Sequence, residues 1–293
     1  MILKGIFAAL ASVFNEDLSL DIKSTISHAF DVEKNGSNVA FLGSTSQAQL
    51  ISVSEKIKLI EKLSENNFPK DCLIGTGCNS LNENINLMKH SIKNGFDKFL
   101  IMNPAYYKNT DQGVYNFYDN IIQQVPDSKI ILYNFSKLSG YSFSADLVKK
   151  LASDFPKNIV GMKDSTGNLF DNLKISNFSM FVGSEIQLLK ALEFGCAGCI
   201  SATTNVTHSL ARKVYDDFIN KRRQTVNDKL CTIRKIFDDS GDLISAVHSF
   251  MSEEDIKYKR ILPPLALLSL EKHQELLHKL KQIDFVPKKN MAA

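Results

Sequence analysis

Eight short apolar runs recur between Ile6 and Ala202, each followed by a polar or glycine-bearing turn and then by residues at helical spacing. The runs are Ile6–Leu10, Val39–Leu42, Cys72–Gly75, Lys98–Met102, Ile130–Tyr133, Ile159–Lys163, Met180–Val182 and Cys199–Ala202. Between them apolar residues return at intervals of three and four, as at Ile57, Ile60 and Leu63 or at Leu147, Val148 and Leu151. Leu188, Leu189 and Leu192 continue the pattern. Eight strand and helix units predict a (β/α)8 barrel, a TIM barrel in the α/β class. Six would suit an open dinucleotide-binding sheet, but no G-x-G-x-x-G separates the first strand from its helix. "GTGCNS" at Gly75–Ser80 is too short for that fingerprint and reads as a tight βα turn.

Beyond the eighth run the chain is helical, over His208–Lys221, Thr225–Asp239, Leu243–Ser252 and Gln274–Ile283, with Pro263 and Pro264 as a break. The first of these helices closes the barrel. The expected organisation is a catalytic barrel over residues 1–222 and a helical extension over 223–293, packed on the barrel.

Charge narrows the partners. The formal net charge is +3, and the lysines are interspersed with acidic residues, with no basic stripe interleaved with aromatics. That argues against nucleic acid. No run approaches membrane-spanning length, and "MILKGIFAALASVF" reads as a first strand instead of a signal peptide, so a cytoplasmic location is expected. Five cysteines, odd in number and sparse, fit a reducing compartment. Cys196 and Cys199 form a C-x-x-C, but no second pair completes a zinc knuckle, and Ile200 and Ser201 continue as a strand. Two small packing residues are expected there. No carboxylate cluster or His pair has metal-ligand spacing.

In a barrel of this kind, polar residues at the C-terminal strand ends form the active face. The sequence places Ser44 and Thr45 there after the second strand, Tyr106 and Tyr107 after the fourth, and Tyr133 and Asn134 after the fifth. Lys163 ends the sixth, Ser184 and Glu185 follow the seventh, and Ser201, Thr203 and Asn205 follow the eighth. Lys163 is the exceptional member, because a lysine in a strand core is rare without a partner. With period two, Ile159, Gly161, Lys163 and Ser165 share one face, with Gly161 leaving room below the amine. Loss of water disfavours an ammonium relative to a free amine, and a free amine attacks carbonyls to give a carbinolamine and then a Schiff base. Tyr133, one strand away, is positioned to shuttle protons, and Ser44 and Thr45 to hold a carboxylate.

These residues stand in motifs. "KGIFAAL", "FLGSTSQAQL", "YNFSKLSGYSF", "IVGMKDSTGN" and "GCAGCISATTNV" run in order from Lys4 to Val206, and together they resemble the dihydrodipicolinate synthase/N-acetylneuraminate lyase family of pyruvate-dependent class I aldolases. The resemblance implies that Lys163 forms a Schiff base with pyruvate or another 2-oxo acid, with no cofactor beyond that covalent link. It makes Tyr133 the proton-transfer residue and sets Ser44 and Thr45 on the substrate carboxylate. It places Tyr107 at or next to a tyrosine lent across a dimer interface. It also implies a homotetramer, a dimer of dimers, and an aldehyde as the second partner.

Departures from the family pattern bear on the substrate. Ser46 and Gln47 replace a glycine and a glutamate, Ser12-Val13 replaces Thr-Pro, and Ser136 replaces a proline. Ser46 is expected to restrict a loop that glycine would free, and Gln47 to remove a charge near the site. Leu138 stands where dihydrodipicolinate synthases place an arginine for the second substrate's carboxylate. "KLSG" is similar to the sialic-acid lyase loop, "GSE" at Gly183–Glu185 to 2-keto-3-deoxy sugar-acid aldolases, and "GMKDS" to 4-hydroxy-2-oxoglutarate aldolases. Dihydrodipicolinate synthesis, or 2-oxo acid binding without catalysis, are the alternatives.

Overall fold

The computed structural model describes residues 3–287; the two residues before them and the last six of the expected extension lie outside that range. Eight strands, β1 (Gly5–Ala9), β2 (Asn38–Phe41), β3 (Leu73–Gly75), β4 (Lys98–Met102), β5 (Lys129–Asn134), β6 (Ile159–Asp164), β7 (Ser179–Val182) and β8 (Gly198–Ser201), pair in parallel and in chain order. β8 returns to β1, from Gly198 beside Gly5 to Ser201 beside Ala8, and closes the barrel. Each expected strand is present within a residue or two of its sequence bounds.

The helices are α1 (Ile22–Lys34), α2 (Val53–Glu65), α3 (Leu81–Lys93), α4 (Asp111–Gln124), α5 (Ser136–Ser139), α6 (Ala145–Asp154), α7 (Leu188–Glu193) and α8 (Thr204–Ile219). α9 (Asn227–Asp239), α10 (Leu243–Met251) and α11 (Leu270–Lys281) follow. Local chemistry starts many of them. Ser52 accepts from the Glu55 N–H while the Glu55 side chain accepts from the Ser52 N–H, a reciprocal cap. Asp21, Ser80, Thr110, Ser144, Asp242 and Ser269 cap their helices one way, each side chain accepting from a backbone N–H of the first turn.

One unit departs from the expected alternation, since the β6–β7 connection, residues 165–178, contains no α-helix. Leu169, Phe170 and Leu173 are still buried there, but in turns, and the buried Asp164 carboxylate orders the chain. It accepts from the N–H groups of Gly167 (2.9 Å), Leu169 (2.8 Å) and Phe170 (3.1 Å), and from Asn134 Nδ2 (2.9 Å).

Two concentric layers hold the barrel. Inward side chains such as Phe7, Leu100, Ile131, Phe181 and Ile200 fill its centre, and alternate residues such as Ile6, Ile130 and Leu132 pack outward on the helices. A third cluster joins the tail to the barrel, with Ala11 and Val13 after β1 packing against Ile233, Phe237, Val247 and Leu276. The tail therefore covers the C-terminal rim.

The faces of β6 differ from strict alternation. Ile131 pairs with Gly161 whereas Ile130 pairs with Ile159, so the register skips Val160. Ile159 and Met162 consequently both face the helices, and Val160 packs with the barrel interior. Nor does Gly161 leave space beneath Lys163. A Cβ there would lie 2.3 Å from the Ser179 carbonyl oxygen and 2.6 Å from Ile131 Cδ1. Glycine is required by the close approach of β7.

Candidate active site

The register β5 to β6 sets Tyr133 beside Lys163 and Asn134 beside Asp164. Tyr133 and Lys163 point into the barrel mouth, while Asn134 and Asp164 form the buried hydrogen bond that fixes both strand ends. Lys163, 4% exposed, donates to the Tyr133 hydroxyl at 3.3 Å, and its Nζ lies 4.3 Å from the ring centroid. The same hydroxyl shares a hydrogen bond of 3.0 Å with Ser44 Oγ. Hydroxyl, phenol and amine thus form one chain across β2, β5 and β6. No carboxylate lies within ion-pair distance of Lys163 among the described residues.

This chain opens into a cavity of about 700 Å³, which Ser44, Thr45, Tyr133, Lys163 and Ser184 all line. The backbone N–H groups of Ser44 and Thr45 have no hydrogen-bond partner among the described residues, an arrangement suited to a carboxylate.

The loop that carries them differs from expectation. Ser46 keeps an ordinary φ and donates to the Leu10 carbonyl at 2.5 Å, anchoring the loop to the end of β1. The left-handed residues are instead Leu42, at φ 54°, and Gln47, at φ 59°. The Gln47 side chain is buried and turned toward the tail, where Oε1 accepts from the Leu262 N–H at 2.7 Å and Nε2 meets His248 Nε2 at 3.2 Å. His248 directs Nδ1 to the Tyr258 carbonyl at 3.2 Å. Burial is the main reason its pKa is lowered to about 4, so a neutral imidazole accepts from the Gln47 amide. Gln47 therefore pins the Ser44–Thr45 loop to the tail instead of tuning charge in the cavity.

The other departures also have local causes. Ser136 N donates to Thr166 Oγ1 at 3.0 Å and Val13 N to Thr25 Oγ1 at 3.0 Å, bonds for which a proline has no N–H.

Glu185 and Ser201 are not brought to the cavity wall. Glu185 is fully buried behind it, accepting from Ser201 Oγ (2.6 Å), Thr203 Oγ1 (2.6 Å), Thr207 Oγ1 (3.1 Å) and Arg234 Nη1 (2.9 Å). Burial alone would raise its pKa; the Arg234 guanidinium and the hydroxyls outweigh burial and hold the carboxyl below its usual range. Substrate contact by either residue is corrected by this network, which has already engaged their polar atoms. Tyr107 lies apart as well, 80% exposed on the loop after β4, with its ring against Tyr106. Asn205 ties the barrel closed, donating to the Ala9 carbonyl (2.8 Å) and accepting from the Ala11 N–H (2.9 Å).

Arg234 escaped the sequence reading. It sits on α9 among Leu230, Ile233 and Phe237, and a cation on an apolar stripe is the signal that would have found it. Asp164 was equally hidden, beside a more conspicuous lysine.

The C-x-x-C behaves as a packing pair. Both thiols are free and buried, and burial pushes Cys196 up to about 11 and Cys199 well above its ordinary value. Among the described residues no group of His, Cys, Asp or Glu is arranged to hold a metal ion, and no helix is long and apolar enough to cross a membrane.

Known proteins share this fold. Over 239 residues, 80% of this chain and 79% of the relative, the sequence is 31% identical to a 4-hydroxy-tetrahydrodipicolinate synthase of Thermosipho melanesiensis. It is 28% identical to an uncharacterized DapA-like lyase of Thermococcus onnurineus, covering 95% and 98% of the two chains. The crystal structure of a chloride-inhibited dihydrodipicolinate synthase from Acinetobacter baumannii, complexed with pyruvate, superposes with a TM-score of 0.87 at 26% identity. The superposition covers 97% of this chain and all of that one. With the model of the dihydrodipicolinate synthetase family matching residues 2–283, barrel, tail and strand-end lysine included, the chain belongs to that family of aldolase-type lyases.

Proposed function

We propose that the protein makes or cleaves a 2-oxo acid through a Schiff base on Lys163, with pyruvate as one partner and an aldehyde as the other. The observation that carries this is the 3.3 Å contact between Lys163 Nζ and the Tyr133 hydroxyl, continued at 3.0 Å to Ser44. In this reading the free amine adds to C2 of pyruvate, whose carboxylate rests on Ser44 and Thr45. Tyr133 relays a proton to the departing C2 oxygen, which leaves as water. The resulting iminium acidifies C3, which loses a proton to give the enamine; the enamine carbon adds to the aldehyde carbon, whose oxygen takes up a proton. Water then hydrolyses the imine and restores the amine. The reverse sequence releases pyruvate. Ser184, on the cavity wall, offers a hydroxyl of the β7 loop to the second partner.

The family resemblance supplies the further parts of the proposal. Tyr107, standing exposed, is lent to a neighbouring subunit's site in a homotetramer, and the enzyme works in the cytoplasm. The A. baumannii complex with pyruvate supports the 2-oxo acid.

The experiment is deuterium exchange of the pyruvate methyl group in D2O, followed by proton NMR with no aldehyde present. The wild type catalyses exchange through the enamine, Lys163→Met abolishes it, and Tyr133→Phe slows it by about 10²–10⁴. Absence of exchange with the wild type refutes the proposal.

A second reading, dihydrodipicolinate synthesis, is favoured by the similarity to the Thermosipho 4-hydroxy-tetrahydrodipicolinate synthase. Leu138 opposes it, because a leucine cannot replace a bidentate guanidinium on a carboxylate. Turnover of pyruvate with aspartate semialdehyde is expected to be negligible.

A further inference from the structure

Resting on the Schiff-base reading above, we propose that the aldehyde partner carries a neutral, apolar chain, making the product a 4-hydroxy-2-oxo acid with a hydrocarbon substituent. The cavity changes character from floor to mouth. Around Lys163 it is lined by the hydroxyls of Ser44, Thr45, Tyr133 and Ser184. Farther out, three separate elements present aliphatic side chains to the same space: Leu138 of α5, Ile186 of the turn after β7, and Leu243 and Ile244 of α10. Leu138 is 43% and Ile186 45% exposed, so the chain leaves these apolar groups wet where a ligand would cover them.

The charged groups of the mouth do not compete for that ligand. Asp242 caps α10, accepting from Ser245 N at 3.0 Å and Ser245 Oγ at 3.1 Å. Arg234 holds Glu185 and Ser201 through Nη1 and both Asp238 oxygens through Nε. Lys137 is exposed and makes no ion pair among the described residues, but Lys137 and Arg234 are balanced in formal charge by Asp238 and Asp242. Thus among the described residues no guanidinium of the wall is left free for a carboxylate, and the other polar side chains of the wall, Ser165 and Gln187, add only one hydroxyl and one amide. Aliphatic walls favour added methylenes, by about fourfold each, and disfavour an added hydroxyl by up to about a hundredfold. The chemistry stays balanced: a C3–H bond of pyruvate and the aldehyde C=O π bond break, one bond forms between C3 and the aldehyde carbon, the proton lost from C3 is matched by the one the aldehyde oxygen gains, and the water lost on forming the imine is returned in freeing the lysine.

The test measures kcat/KM for condensation of pyruvate with propanal, butanal, pentanal, hexanal and benzaldehyde, against glyceraldehyde, glyoxylate and succinic semialdehyde, with products identified by mass spectrometry. The proposal expects kcat/KM to rise about fourfold per methylene along the aliphatic series, with the polar and anionic aldehydes behind. Leu138→Arg is expected to reverse the order in favour of succinic semialdehyde. Pyruvate deuterium exchange by the wild type separates the two levels of failure. If exchange proceeds but glyceraldehyde or an anionic aldehyde is preferred, or no apolar aldehyde reacts, this inference is overturned and the Schiff-base reading stands. Without exchange, both fall.

Discussion

Replacing Arg234 with methionine removes the cation from a carboxylate that has no solvent. Glu185 is 0% and Arg234 9% exposed at the side chain, with 2.9 Å between Nη1 and Oε2. Methionine preserves most of the apolar stem, so the change isolates the charge. Breaking a buried pair by removing one partner costs about 3–5 kcal/mol, because the remaining ion is left uncompensated. Here the hydroxyls of Ser201, Thr203 and Thr207 stay with Glu185 and hold the loss toward the lower end of that range. An unfolding entropy of about 2.1 cal/mol/K per residue over 293 residues makes that loss a fall in Tm of roughly 5–6 °C. Urea unfolding at pH 7.5, followed by far-UV circular dichroism, gives the free energy, and a thermal melt gives the Tm. Adding Glu185→Gln removes the stranded charge, so the double variant is expected to regain more than half of the loss. A single variant within about 1 kcal/mol of the wild type, or a double variant no better than the single, would refute the account of the network.

Gly161→Ala is expected to destabilise by about 1–3 kcal/mol in the same urea assay, because its Cβ meets the Ser179 carbonyl on β7. A neutral result would mean that β6 and β7 can separate freely. His248 makes stability depend on pH. Its folded pKa of about 4 lies below an ordinary 6.5, so between these values the unfolded chain binds a proton that the folded chain refuses. Stability therefore falls as pH drops from about 6.5 to about 4, by ~3 kcal/mol from this group. Urea midpoints across that range should flatten in His248→Gln; an unchanged slope contradicts the assignment.

Much of the barrel was legible because its signal is local. Each strand buries both faces, so it reads as an apolar run, and each amphipathic helix repeats a stripe. Lys163, Tyr133, Ser44, Thr45 and Ser184 were legible as polar residues at strand ends, which a closed parallel barrel gathers on one rim. What stayed hidden depended on contacts distant in sequence. Glu185 reads as a cavity ligand until Arg234, 49 residues later, is seen to engage it. Gln47 reads as a change of charge until His248 arrives from α10. The skipped pairing at Val160 took Ile159 off the face inferred for Gly161 and Lys163, and periodicity has no term for a register shift. Residues 165–178 lack a helix because a single side chain, Asp164, supplies acceptors that order the loop.

The central claim is that Lys163 is the nucleophile. Borohydride reduction of the wild type in the presence of pyruvate, followed by peptide mapping in a mass spectrometer, tests it most directly. A reduced pyruvyl group on the peptide containing Lys163, at no other lysine, and absent from Lys163→Met, is the predicted result. An unmodified Lys163, or an adduct on a different lysine such as the buried Lys56, would contradict it.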